Sequence, residues 1–458
     1  MNIKRDLIKV LFSNIIVLLS SLASGFIIPA VLGIKEFANF KTYMLLIQFA
    51  GLLHVGFIDG IYLKYGGREL DSIDMNSLNH EHRFFLIFQL ILMIPFLVIG
   101  IIKRDIILIL FSFSFVIVNG HTFFMFFYQA IGDFTISSIF KTFLQVYIFI
   151  ANITIIFIFK LNTYLPFVII HLSAYFFSFM SFELLFSKKF SSKGIKFNNK
   201  GIKEIFSNGI YIMLGNIIFI LIFSIDRWFV KLLFPTNDFA YYSFVVSLMT
   251  IIIILISSVS IVLFPYLSKR IDNNILEIKE KIILVGTLFS GLYFVFAWVI
   301  NIFLKKYIIT LPLSMYLFLS IPVIGVIYSL YLNLYKIEKS RKKYLFIMVK
   351  YITISIILNT FAIFIKKDIK SIAISTTMMF YLWYYFSSFD FERIKVKFKE
   401  LVFLFLYVLI FVCTVNYLSL FFGFLVYYLL IIIVSWLFFK NTVKNIFFKK
   451  QKNNIGVS

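Results

Sequence analysis

The stretch Phe84–Ile102 reads FFLIFQLILMIPFLVIGII and contains no charged side chain. A helix needs about 20 apolar residues to cross the hydrocarbon core of a bilayer, so this segment predicts a membrane-spanning helix. Working outward from it, the sequence predicts fourteen spans and an all-α, polytopic membrane protein. The other thirteen spans are Leu7–Val31, Phe40–Leu63, Ile106–Tyr128, Ile136–Phe159, Tyr164–Phe186, Ile205–Phe229, Ala240–Leu267, Ile282–Leu304, Thr310–Tyr335, Tyr344–Ile365, Ile369–Phe386, Leu401–Leu418 and Leu420–Phe439.

The composition excludes a soluble enzyme. Of the 458 residues, 61% are apolar and 14% are charged, and the mean hydropathy is +0.98. A soluble domain carries about 45–50% apolar and about 25% charged residues, and no water-soluble core could bury so much apolar surface. A single cysteine, Cys413, excludes a disulfide framework. The histidines are few and scattered, so neither a metal site nor a cofactor is predicted.

The distribution of Lys and Arg predicts the orientation. When the N-terminus is placed in the cytoplasm, 32 of the 44 basic residues fall on the cytoplasmic side of the predicted spans and 12 fall outside. This positive-inside bias places both termini in the cytoplasm. Most of the net charge of +23 is therefore explained by topology and by attraction to anionic lipid, so we expect no nucleic-acid partner. The outside loops are short, and no phosphate-binding loop of the Gly-x4-Gly-Lys-Ser/Thr type is present.

Two short motifs recur in the same order. Phe12–Asn14 is repeated as Phe206–Asn208, and Glu36–Phe40 is echoed by Asp238–Tyr242. Six predicted spans separate the copies, which indicates a parallel repeat about an axis along the membrane normal, with substrate between the halves. The predicted domains are an N-terminal six-helix bundle (1–190), a basic cytoplasmic linker (191–204), a C-terminal six-helix bundle (205–392) and an additional two-helix segment with a basic tail (393–458).

Polar residues inside the predicted spans define candidate cavity positions, because polar groups at membrane depth are costly and usually face a cavity. At 100° per residue, three of the spans carry on one face a stripe that includes charged or amide side chains. The stripes consist of Lys41, Gln48 and Asp59 in span two, Ser138, Lys141, Gln145 and Asn152 in span five, and Asn216, Arg227 and Lys231 in span seven. Snorkelling to the interface remains an alternative for Lys41, Asp59 and Lys231, which lie near predicted span ends.

The adjacent pair Asp226-Arg227 is open to two interpretations. It can be an interfacial ion pair that fixes span seven. Alternatively, Arg227 grips a substrate phosphate bidentately, and Asp226 orients it or serves as a coupling-ion site. Cations at membrane depth outnumber anions in this chain, which favours an anionic substrate. The candidate diphosphate contacts are therefore Arg227, Lys141, Lys41 and Lys231.

Several motifs, taken in order, resemble the bacterial polysaccharide flippases. They are Ser13-Asn14, Pro29-x-x-x-Gly33, Glu36–Phe40, Gly56-x-x-Asp59-Gly60 followed by Lys64, Asp226-Arg227-Trp228 and Phe264-Pro265. These flippases are the O-antigen or capsule repeat-unit transporters of Wzx type, in the multidrug/oligosaccharidyl-lipid/polysaccharide exporter superfamily. In this resemblance, Arg227 matches the family's basic residue in span seven, and Lys41 matches the polar face of span two. Apart from Lys9 at its cytoplasmic start, the first span lacks the charged groups often found there in the drug-exporter and lipid II branches.

The resemblance implies two six-helix bundles around a basic cavity, in the bacterial cytoplasmic (inner) membrane. It implies that an undecaprenyl-diphosphate-linked oligosaccharide passes by alternating access from the cytoplasmic to the periplasmic leaflet, with polysaccharide polymerase and chain-length machinery as further partners. The alternatives are a drug or lipid II exporter of the same superfamily, or an enzyme, an O-antigen or capsule polymerase. Short outside loops argue against the polymerase. Proton coupling, sodium coupling and the membrane potential all remain open.

Overall fold

A computed structural model describes residues 3–189, 199–269, 275–338 and 341–447. The described residues are helical and contain no strand, which confirms the predicted fold class. Two compact units can be distinguished, Met1–Phe244 and Val245–Ser458, and each is described by itself. The predicted linker at 191–204 lies outside the described residues from 191 to 198, and the predicted domain boundaries stay predictions.

The first unit contains nine complete helices among its described residues and the start of a tenth. They are α1 (Ile3–Val31), α2 (Ile34–Ile47), α3 (Phe57–Tyr65), α4 (Met75–Lys103), α5 (Ile106–Ala130), α6 (Phe134–Phe157), α7 (Tyr164–Lys189), α8 (Asn199–Ile222) and α9 (Ile225–Leu233), followed by α10 (Thr236–Lys269), which continues into the second unit. A 3-10 segment, Ala50–His54, separates α2 from α3.

The second unit contains the rest of α10 and nine further helices. They are α11 (Ile275–Ser290), α12 (Leu292–Phe303), α13 (Leu311–Phe318), α14 (Ile321–Val326), α15 (Leu332–Glu338), α16 (Arg341–Ile365), α17 (Ile369–Ser388), α18 (Phe398–Tyr417) and α19 (Leu420–Phe447). A π-helical turn, Ile327–Tyr331, joins α14 to α15.

The number of spans differs from the predicted fourteen. Ten helical segments in the described part of the chain are long and apolar enough to cross a membrane. Two bent helix pairs raise that number to twelve if each forms one span: Ile34–His54 with Phe57–Tyr65, and Lys305–Phe318 with Ile321–Ile337. The predicted first and twelfth spans are not among them, so the count of fourteen is not confirmed. The protein is nevertheless a multi-pass membrane protein.

Aspartates set the starts of several helices. Their side-chain oxygens accept hydrogen bonds from first-turn backbone N–H groups at 2.9–3.1 Å. These N-caps satisfy donors that no helical carbonyl can reach. The capping residues are Asp74, Asp105, Asp133 and Asp368, at the starts of α4, α5, α6 and α17. Glu36 has the same role for α7, although it is 128 positions away in the chain. Its side chain accepts the backbone N–H of Tyr164, the first residue of α7, at 2.8 Å.

The last two helices are packed within the second unit. The hydroxyl of Tyr407 on α18 donates to Ser290 at 2.7 Å, and that of Tyr428 on α19 donates to the Leu288 carbonyl at 3.0 Å. A buried ion pair adds to this packing: Lys279 Nζ lies 2.8 Å from Glu400 Oε1 and donates to the Ile394 carbonyl at 3.0 Å. The side chain of Lys279 is 0% exposed. From the sequence, Lys279 was one of the 32 basic residues predicted on the cytoplasmic side, and its burial was not predicted.

Removing one partner of this pair should destabilise the protein strongly. We expect Lys279→Met to lower the free energy of unfolding by about 3–5 kcal/mol, because Glu400 would remain as an uncompensated buried charge. The double variant Lys279→Met/Glu400→Leu should recover most of the loss. Lys281→Met is the matched control on the same helix, since Lys281 pairs with Glu277 at 2.8 Å but is 40% exposed. Thermal unfolding in detergent measures all three, and a Lys279→Met protein as stable as the control would contradict the prediction.

Candidate functional site

Predicted span two is a broken helix. Helix α2 ends at Ile47, and α3 begins only at Phe57, at an angle of 58° to the preceding segment. At the break, Val55 has φ 49° and Gly56 has φ 82°. A β-branched residue rarely adopts positive φ, and such strain persists only where the surrounding structure imposes it. The continuous span predicted at Phe40–Leu63 is corrected accordingly.

Two buried amides bind the backbone at this break. Gln89 of α4 donates to the carbonyl of Leu53 at 2.9 Å, and Asn119 of α5 donates to the carbonyl of Ala50 at 3.0 Å. Asn119 also donates to Gln89 at 2.8 Å. Irregular backbone at membrane depth is tolerated only when its polar groups find partners within the protein. Neither amide was a candidate from the sequence, although each is an isolated amide in a strongly apolar span.

Replacing these amides should destabilise the break. We expect Gln89→Leu and Asn119→Leu each to cost about 1–3 kcal/mol, because a buried carbonyl loses its donor. Thr154→Val is a suitable control, since that hydroxyl bonds to the carbonyl of Ile150 in its own helix, at 2.9 Å. Heating the purified variants and recording the folded fraction by size-exclusion chromatography tests this. Unchanged midpoints of thermal unfolding in both amide variants would show that the carbonyls of Leu53 and Ala50 find other hydrogen-bond donors.

Glycines allow α3 and α8 to approach closely. A Cβ atom placed on Gly209 of α8 would lie 1.9 Å from the carbonyl oxygen of Gly56 and 2.4 Å from the nitrogen of Gly60. Gly56 and Gly60 form a G-x-x-x-G motif, which permits backbone contact between membrane helices. Both glycines belong to the motif Gly56-x-x-Asp59-Gly60, but the crossing of α3 and α8 was not predicted from the sequence.

The crossing is accompanied by contacts of two predicted cavity residues, Asp59 and Asn216. Asn216 Nδ2 donates to Asp59 Oδ1 at 3.4 Å. His54 Nε2 lies 3.7 Å from Asp59 Oδ2, and its Nδ1 accepts the N–H of Gly56 at 3.1 Å. Asp59 is buried, whereas Asn216 is exposed. A buried carboxylate therefore lies beside an imidazole and an amide at the broken helix.

Asp226 and Arg227 lie in the first turn of α9. Asp226 accepts the backbone N–H of Arg227 at 2.7 Å and the hydroxyl of Tyr242 at 2.8 Å. Both carboxylate oxygens are thus engaged by groups other than the Arg227 guanidinium. The opposite charges of the two side chains still interact electrostatically, although the described residues show no direct hydrogen bond between the carboxylate and the guanidinium. The carboxylate holds the start of α9, and the guanidinium points to other partners.

The guanidinium of Arg227 donates hydrogen bonds through one of its nitrogens, Nη2. Its Nη2 donates to Gln48 Oε1 at 3.1 Å and to the carbonyl of Phe223 at 3.2 Å. Its Nε is buried and has no hydrogen-bond partner in the part of the chain that the structure describes. Lys41 is close enough to interact electrostatically with this guanidinium. Three predicted candidates, Lys41, Gln48 and Arg227, therefore converge, and we call them with Asp226 the Arg227 cluster.

The remaining candidates lie elsewhere in the first unit. Lys231 Nζ lies over the ring of Phe239, 5.0 Å from its centroid. Lys141 and Gln145 are half-buried on α6, which packs on α1, α5 and α7. Asn152 is buried where α6 meets α1, beside Ser24. Another face of α6, turned away from Asn152, lines an apolar groove of about 950 Å³. Ser138 is the residue of the span-five stripe that borders this groove.

The described helices form a polytopic membrane protein in which the second predicted span is broken. The fold is similar to that of the lipid II flippase MurJ in an inward closed conformation, with 13% identity, a TM-score of 0.71 and coverage of 95% of this chain and 99% of that chain. It is also similar to an inward-facing multidrug resistance MATE family transporter of the MOP superfamily, with 12% identity, a TM-score of 0.54 and coverage of 81% and 94%. A Vibrio cholerae MATE transporter aligns with 10% identity, a TM-score of 0.51 and coverage of 85% and 95%.

Sequence comparison adds a family. The family model described as polysaccharide biosynthesis protein matches residues 129–282. No curated protein matches this sequence. Together, the family match and the fold confirm the predicted resemblance to the polysaccharide flippases of the exporter superfamily.

Proposed function

We propose that this protein is a flippase for an undecaprenyl-diphosphate-linked oligosaccharide. It would move a repeat unit of O-antigen or capsule from the cytoplasmic to the outer leaflet of the bacterial inner membrane by alternating access, with both termini in the cytoplasm. The observation that carries this proposal is the guanidinium of Arg227, whose Nε lacks a partner among the described residues. The matched family, described as polysaccharide biosynthesis protein, supports the same substrate class.

The Arg227 cluster suits a diphosphate. A guanidinium presents five N–H donors in a planar fork and can bind phosphate oxygens bidentately. Here Asp226 accepts hydrogen bonds from Tyr242 and from the backbone, and the Nε of Arg227 has no partner among the described residues. Bidentate binding of a phosphate would use this Nε and replace one of the two hydrogen bonds that Nη2 donates. Lys41 adds a second positive charge nearby. Asp226 offsets part of this positive charge, but two cations and one anion at membrane depth still favour an anionic headgroup.

Energy coupling is a separate part of the proposal. Asp59 is a buried carboxylate whose neighbours, His54 and Asn216, are both polar. Ionisable groups inside the membrane often take part in proton or ion coupling, so Asp59 is our candidate for coupling to protons or sodium. We also propose that the product is passed to polysaccharide polymerase and chain-length machinery.

The alternatives differ in the charge of the substrate. A cationic drug would be repelled by Arg227 and Lys41, which disfavours drug export. A lipid II exporter would use the same cations, because lipid II also carries a diphosphate, and the lipid II flippase MurJ has a similar fold. A polymerase is disfavoured because the transmembrane proteins with a similar fold are transporters.

Reconstitution in liposomes tests the function directly. The purified protein is incorporated with the lipid-linked repeat unit extracted from the same cells, with lipid II, or with a fluorescent organic cation. Transfer between leaflets is then followed by the access of a glycan-modifying enzyme or a quencher. We expect rapid transfer of the repeat-unit lipid. Preferential transfer of lipid II would favour the second candidate, and transport of the cation alone would overturn the proposal.

A further inference from the structure

Two pairs of adjacent residues meet in the first unit. Gln48 and Phe49 follow the end of α2, and Arg227 and Trp228 lie in the first turn of α9. The two polar members are joined by the hydrogen bond of 3.1 Å from Arg227 to Gln48. The two aromatic members are in contact, with ring centroids 5.8 Å apart and planes at 60°. We call Gln48 with Arg227 the polar rung and Phe49 with Trp228 the aromatic rung, and the two rungs lie side by side.

The aromatic rung remains accessible. Phe49 and Trp228 are each half-buried, and Gln48 is exposed. The two rings are not stacked in parallel, so Phe49 covers at most part of one face of the indole. An amphipathic ring beside a cation and an amide is typical of sites that bind molecules with one apolar and one polar side.

We propose that Trp228, assisted by Phe49, binds the sugar attached directly to the diphosphate of the lipid-linked substrate. This inference rests on the proposed function, because Arg227 must hold the diphosphate. Arg227 and Trp228 are consecutive on α9 and contact the consecutive residues Gln48 and Phe49, so these contacts keep the indole near the phosphate-binding group. In the substrate, the first sugar is likewise joined directly to a phosphate oxygen. The two neighbouring groups of the ligand therefore match two neighbouring residues of the protein.

The chemistry of a pyranose matches this pair of rungs. One face of the sugar presents C–H groups, which pack favourably against the electron-rich face of an indole. Its hydroxyl groups lie at the ring edge, where the exposed amide of Gln48 can donate or accept hydrogen bonds. Such stacking tolerates different sugars, so the site should favour any substrate with a sugar next to the diphosphate over one without a sugar.

Binding of two probes to the purified full-length protein in detergent tests the inference. The probes are undecaprenyl diphosphate and undecaprenyl-diphosphoryl-glucose. We expect the wild type to bind the sugar-bearing probe about threefold to tenfold more tightly. Trp228→Leu should abolish that preference while leaving the affinity for undecaprenyl diphosphate unchanged. Trp228→Phe should retain part of the preference, since it keeps an aromatic face.

The controls separate this inference from the proposed function. Trp298→Leu removes an exposed tryptophan of the second unit and should leave both affinities unchanged. Arg227→Gln should weaken both probes equally, and the proposed function fails if it weakens neither. The sugar site is overturned if the wild type shows no preference or if Trp228→Leu keeps it. It is also overturned if Trp228→Leu weakens both probes equally, because the ring would then only support Arg227.

Discussion

Cells that carry Arg227→Gln in place of the wild type should lose most of their surface polysaccharide. Glutamine is neutral and cannot form the planar fork that binds phosphate oxygens. Hydrogen bonds to charged groups contribute about 1.5–3 kcal/mol, so transport should fall by about tenfold to a hundredfold. Arg227→Lys keeps the charge but loses the fork, and we expect it to retain partial activity. Surface polymer is quantified at equal levels of membrane protein.

Arg83→Gln is the matched control for this experiment. Arg83 is exposed on α4, and its replacement changes the net charge by the same amount. We expect normal polymer in that strain. The lipid-linked precursor should accumulate in the Arg227→Gln strain, which separates a transport defect from a defect in synthesis. Normal polymer in the Arg227→Gln strain would rule out a diphosphate contact at this position.

Gly209→Ala should prevent the close approach of α3 and α8. The added Cβ would lie 1.9 Å from the carbonyl oxygen of Gly56, a distance that only a shift of backbone can relieve. Overpacking of this kind costs about 3 kcal/mol, and here it also displaces the segment that places Asn216 next to Asp59. We expect a large loss of folded protein and a lower melting temperature in detergent. Fluorescence-detected size-exclusion chromatography after heating measures both.

Gly33→Ala is the matched glycine control. A Cβ on Gly33 would meet no atom within 4 Å, and its φ of −60° suits alanine. Gly33 is the N-cap of α2, where alanine costs about 1 kcal/mol or less. The close-packing argument would fail if Gly209→Ala melted at the same temperature as Gly33→Ala.

The sequence predicted the positions of the helices better than their continuity. Apolar runs locate α5, α6 and α7 within a few residues, because length and hydropathy are local properties. Helix α4 starts nine residues before its apolar run, at Met75. The break after Ile47 was not visible in that pattern. It depends on Gln89 and Asn119, which come from other helices and bind the freed carbonyls.

The candidate site illustrates the same limit. Lys41, Gln48, Asp226 and Arg227 were all identified from polarity at membrane depth, and the structure brings them together. Their partners were not identifiable, since Arg227 and Gln48 are 179 positions apart in the chain. The neighbours Asp226 and Arg227 suggested an ion pair, but Tyr242 binds the carboxylate instead. By contrast, Lys141, Gln145 and Asn152 also share a helical face but do not belong to the Arg227 cluster. They lie on α6, which packs on α1, α5 and α7.

By itself, the sequence determined that this protein is an all-helical membrane protein with a strongly biased distribution of positive charge. Those properties follow from composition and from the thickness of a bilayer, so they do not depend on which helices are neighbours. Only the tertiary structure decided that span two is broken, that Gly209 packs against Gly56, and that the Nε of Arg227 has no hydrogen-bond partner in the described part of the chain. Each of these depends on contacts between residues distant in the chain, where the backbone and buried polar groups must find partners inside the protein because lipid offers none.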